Sequence, residues 1–186
     1  MDFETYKQRF LEILNHPNPP KPYDNADYLN YAKLNWSRQE RWLKTGVLNT
    51  DLIEAVKNIQ QPQLWTVITE PWCGDAAHIV PFIQMVSVYN PLIKVIYCLR
   101  DTEPFLIDKY LTKGSKSIPK FIIADNKGHD LAVWGPRPLG CQLLYDKLLD
   151  EHVELEQKKI ALQKWYNQDK GQSLQLELLD EISKLN

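Results

Sequence analysis

The chain predicts an α/β domain: a central mixed sheet of four to five strands flanked by helices, with further helices added at both ends. Three observations carry this expectation. Short apolar runs alternate with helical-period segments between residues 64 and 124. A turn-rich Asp125-Asn126-Lys127-Gly128 joins the last of these runs to His129-Asp130-Leu131-Ala132-Val133-Trp134, a hairpin signal. Helical spacing without strand signals occupies residues 1–61 and 151–186.

Each element has its own reason. Phe3, Tyr6, Phe10, Ile13 and Leu14 recur at helical spacing over 2–15, and the proline cluster from His16 to Pro22 ends that helix, since proline lacks the donor. A second helix is predicted over 25–44, with Tyr28, Tyr31, Ala32, Asn35, Trp42 and Leu43 on one face and Gly46 near its stop. A third spans 52–59, capped by Thr50 or Asp51. Then follow a strand (64–69), a helix (74–89), a strand (93–99), a short helix (103–112) and a strand (120–124), an order that implies crossover units and a largely parallel core. After Gly135-Pro136-Arg137-Pro138 one long charged helix is expected to about Asn167, then a break at Gly171 and a Leu-rich segment over 174–185.

Composition bounds the function. With 186 residues and 44% hydrophobic content the chain supports one core, hence a single domain over 1–186: a helical extension (1–61), a core (62–150) and a second extension (151–186). A net charge of −2 and a pI of about 6.1 argue against nucleic acid as partner. No apolar run reaches the ~20 residues of a membrane helix, and the start of the chain lacks a basic segment followed by an apolar one. We therefore expect a cytoplasmic protein, monomeric or weakly dimeric, without a membrane partner. Three cysteines do not make a disulfide framework. His16, His78, His129 and His152 have no metal-ligand spacing and read as exposed or capping residues. Neither a metal nor a cofactor is expected, and no glycine-rich phosphate loop occurs. Trp36, Trp42 and Trp165 would mark an interface if exposed on one patch.

The candidate site is Trp72-Cys73-Gly74-Asp75-Ala76, directly after the first core strand. Cys73 falls where a strand gives way to a helix, and free N–H groups with the positive end of the helix dipole favour thiolate there. Cys98 reads as a buried strand residue. Asp75 reads first as the N-cap of the helix, and a carboxylate near Cys73 would disfavour its thiolate. Arg137, in the loop after the last strand, is its candidate counter-charge.

Trp72-Cys73-Gly74, Pro81 eight residues after the cysteine, Ser117-Ile118-Pro119 before a strand, and Gly135 after the last strand together resemble the thioredoxin-like superfamily. With Asp75, they are most similar to a bacterial group carrying a Trp-Cys-Gly-Asp variant. The resemblance covers about 62–150. It implies the thioredoxin fold, a cis Pro119 facing Cys73, and a substrate groove formed by Trp72, Gly74, Asp75, Ile118, Pro119, Gly135 and Arg137, with Cys73 as the catalytic residue. Two departures qualify the activity. Ala76 stands where the family's resolving cysteine would be, and Val67 where its buried aspartate would be. Two functions follow. One is a monothiol oxidoreductase forming mixed disulfides through Cys73 with a protein or low-molecular-weight thiol and resolved by an external thiol, Cys141 being the only plausible internal partner. The other is a redox-inactive binding or scaffold protein using the groove beside Cys73 and Pro119.

Overall fold

The first core strand, β1 (Gln63–Thr69), is buried at every position but Leu64, because it lies inside the sheet and is covered on both faces. In the computed structural model, which describes residues 1–185, β1 pairs in parallel with β2 (Ile93–Leu99) and antiparallel with β3 (Lys120–Asp125). β3 in turn pairs antiparallel with β4 (Asp130–Trp134), so the sheet order is β2-β1-β3-β4. The mixed sheet matches the predicted class, but the expected largely parallel core reduces to the single β1/β2 pair. The reason lies in the segment 100–119. It forms a 3₁₀ turn, Leu106–Lys109, and a single Thr112–Ser115 bridge rather than a crossover helix, and the chain re-enters on the far side of β1 running the opposite way.

Seven helices flank the sheet among the described residues: α1 (Phe3–Asn15), α2 (Ala26–Thr45), α3 (Thr50–Lys57), α4 (Gly74–Ser87), α5 (Leu139–Asp150), α6 (Leu155–Asp169) and α7 (Gln172–Ser183). α4 is buried nearly all round, from Ala76 through Val86, and carries Pro81 in its interior. α1 packs on β2, with Tyr6 stacked on Tyr97 at 5.4 Å and Phe3 beside the same ring at 5.3 Å. α2 crosses α4, where Trp42 meets Phe82 at 5.5 Å. Leu174, Leu178 and Ile182 of α7 complete the core.

Four local expectations change. The cap of α3 is Asn49, whose Oδ1 accepts from Asp51 and Leu52 N–H, not Thr50 or Asp51. The single long charged helix is two helices. His152 takes a left-handed φ of 52°, and the amides of His152 and Val153 donate to the carbonyls of Leu149 and Leu148, closing α5 without a glycine. Cys98 is half-buried rather than buried, because β2 is an edge strand. The three tryptophans form no exposed patch: Trp42 is buried and Trp36 and Trp165 are half-buried against the core.

Candidate functional site

β1 delivers the chain to Glu70-Pro71-Trp72, and Cys73 then serves as the N-cap of α4, with extended backbone and its own sulfur accepting from Ala76 N–H at 3.4 Å. The Cys73 thiol donates to the carbonyl of Ile118 at 3.4 Å, and the Ile118-Pro119 bond is cis as expected. The expected thiolate is not what this environment favours. Cys73 is buried, and burial first, then the charge of Asp75, push its pKa up to about 12 against the smaller opposing pull of Ala76 N–H and Arg137.

Asp75 is not the helix cap. Its carboxylate turns into the protein, pairs with Arg137 Nη2 at 2.7 Å and accepts from the Tyr166 hydroxyl at 2.8 Å. Burial holds the carboxyl above its usual range despite the guanidinium beside it, and Arg137 holds its proton the more firmly for the pairing. Arg137 also donates to Gln142 Oε1 at 3.2 Å and lies over the Tyr145 ring at 4.1 Å.

Sequence reasoning placed His78 among exposed or capping histidines, whereas it is buried behind the site. Trp42 Nε1 donates to its Nδ1 at 2.8 Å, so its Nε2–H donates to Gln163 Oε1 at 3.0 Å. The ring stacks on Tyr166 at 4.4 Å, and burial lowers its pKa to about 3, so it is neutral and supports Tyr166 rather than acting on Cys73. The other three histidines are exposed, His129 paired with Asp125. Cys141 is buried and Cys73, Cys98 and Cys141 are all free thiols. Burial raises the Cys141 thiol to about 12 as well.

A cleft of about 1180 Å³ opens over Cys73. Trp72, Gly74, Asp75, Ile118, Gly135 and Arg137 line it together, whereas Pro119 is buried and is not part of the wall. Gly135, at φ 114°, passes so close to the Pro119 carbonyl that a side chain would collide with it. The tertiary fold adds wall residues that no motif marks. Tyr31 and Arg38 enter from α2, Arg100 lies over Trp72 at 4.5 Å, Tyr145 comes from α5, and Lys158 and Lys159 come from α6. Glu70 lies beneath the loop, buried, accepting from Asp101 N–H at 3.0 Å, and burial raises its pKa to about 7. A carboxylate at the end of an apolar strand beside a proline was its signal in the sequence. Among the described residues no cluster of acidic, histidine or cysteine side chains could hold a metal ion, and no helix is long and apolar enough to cross a membrane.

A family model described as thioredoxin matches residues 22–159, spanning α2 to the start of α6 and most of the cleft lining, though not Gln163, Tyr166 or Glu177. Two solved structures are similar over nearly the full chain, each 16% identical. One, a protein of unknown function from Pseudomonas aeruginosa, has a TM-score of 0.57 over 95% of this chain and 92% of its own. The other, an HIV epitope scaffold, has a TM-score of 0.56 over 96% of this chain and 98% of its own. No curated protein matches.

Proposed function

The chain belongs to the thioredoxin family and has the thioredoxin fold with helices added at both ends, and from that premise we propose that it is a binding protein whose cleft over Cys73 works without redox turnover. The observation that carries this reading is the state of the thiol. Its S–H donates to the Ile118 carbonyl, it is buried beside the Asp75 carboxylate, and its pKa of about 12 keeps it protonated at neutral pH. Ala76 leaves no resolving thiol next to it, in line with a place among the Trp-Cys-Gly-Asp variants. A reducing compartment such as the cytoplasm suits three unpaired thiols.

A second reading has one observation in its favour: Ala76 N–H points at the sulfur from the first turn of α4 and would stabilise a thiolate once formed. In that case Cys73 attacks a disulfide, one sulfur leaves as thiolate, and an external thiol releases the mixed disulfide. Alkylation rate against pH separates the two. The binding reading expects Cys73 in the native chain to react at pH 8 at least about a hundredfold more slowly than in the unfolded chain, with no mixed disulfide trapped by a small disulfide. A half-rate point below pH 8, or a trapped adduct absent from Cys73→Ser, overturns it.

A further inference from the structure

We propose that the cleft over Cys73 takes a small anion bearing carboxylate or phosphate groups, held on the wall formed by α2 and α6 through Arg38, Lys158 and Lys159. This rests on the binding reading above and names its ligand class. The volume, about 1180 Å³, lies somewhat above the ~300–1,000 Å³ usual for small-molecule sites, so a small ligand would occupy part of it. Residues of α2, α5 and α6 line it together with the loops around Cys73 and Gly135.

The charges on that wall are what select the anion. Arg38 lies 5.2 Å from the centre of the Tyr31 ring and Lys159 4.9 Å from it, so two cations share one aromatic ring beside Gly74. Arg38 uses one nitrogen on the neutral amide of Asn35 at 2.7 Å. Neither Arg38 nor Lys158 has an ion-pair partner among the described residues, although both are half-buried at the cleft wall. Asn35 and the Tyr31 hydroxyl, which Arg38 also engages, are neutral partners, so the charge of the guanidinium is left for an anion.

The acids of the cleft do not cancel this. Asp75 is matched by Arg137 and Asp146 faces Lys113 and Gln142. Glu156 pairs with Lys159, and Glu177 accepts from Trp134 Nε1 and Leu139 N–H. Asp27 is on the same helix as Arg38 but eleven residues away, ~16 Å along the axis. Two unmatched cations on facing helices, with a third nearby, therefore leave a positive corner in a chain whose net charge is −2.

The test titrates the full chain with citrate and, separately, with pyrophosphate at low ionic strength, reading heat and the fluorescence change of Trp72 against a Trp72→Phe control. Saturable binding is expected for at least one anion, weakened about tenfold or more by Arg38→Gln and again by Lys158→Gln, and weakened by 0.15 M salt. Each variant's circular dichroism and unfolding midpoint establish that it is folded. Absence of binding by both anions at millimolar concentration, or binding indifferent to Arg38→Gln and Lys158→Gln, overturns the proposal. A reactive Cys73 alongside intact anion binding would remove only the redox-silent reading, and a silent Cys73 without anion binding would remove only this one.

Discussion

Asp75 and Arg137 show how one pair sets the behaviour of a neighbour. Both side chains are nearly buried, so removing one partner strands the other in a low-dielectric site. Arg137→Ala is expected to cost about 3 kcal/mol at pH 7, measured by urea unfolding. The loss should shrink towards pH 4, because the raised Asp75 carboxyl then takes up a proton. Asp75→Asn acts on the thiol with a definite sign. The carboxylate is the second cause raising the Cys73 pKa, after burial, so its removal should speed alkylation at pH 8 several-fold without making the thiol an ordinary one. The pair was legible in the sequence, since a carboxylate at a helix start and an arginine in the loop after the last strand are natural partners in this topology. The role of Asp75 as cap was not: Cys73 occupies the cap position and leaves the carboxylate free to turn inward. Tyr166, distant by 91 residues, could not be assigned to Asp75 from local pattern at all.

At the scale of elements, close backbone approaches decide the site. β4 ends at Gly135, whose φ of 114° and contact with the Pro119 carbonyl admit no side chain. Gly135→Ala is expected to destabilise the protein by more than about 2 kcal/mol, and, because it presses on the segment carrying Ile118, to alter the Cys73 titration. Unchanged stability and titration would refute the stated constraint. Helices with strong punctuation, such as α1 before its proline cluster and α2 before Gly46, were readable to within a residue or two. The break between α5 and α6 was not, because a histidine rather than a glycine adopts the left-handed turn there. That break matters, since it lets α6 fold back to bring Gln163 and Tyr166 to the site and Lys158 to the cleft.

Over the whole molecule, two buried titratable groups oppose each other. Glu70, raised from 4.5 to about 7, contributes stability that is full below pH 4.5 and is lost as pH rises to about 7, on the order of 3 kcal/mol. His78, lowered from 6.5 to about 3, contributes stability that is full above pH 6.5 and is lost as pH falls towards 3. Glu70→Gln keeps an oxygen for Asp101 N–H, so it should raise stability above pH 7 by up to about 3 kcal/mol relative to pH 4.5; parallel pH profiles for the two proteins would count against it. The amino-acid order by itself determined the α/β class, the strand positions, the cysteine at a helix start and the absence of its resolving partner, because periodicity, turn residues and motif spacing are local quantities. The direction in which β3 runs, the burial of the Cys73 thiol, the neutral His78 and the cationic wall from α2 and α6 came only with the folded chain. Burial and charge pairing between residues far apart in sequence set each of these, and a local pattern carries no record of what will be buried against what.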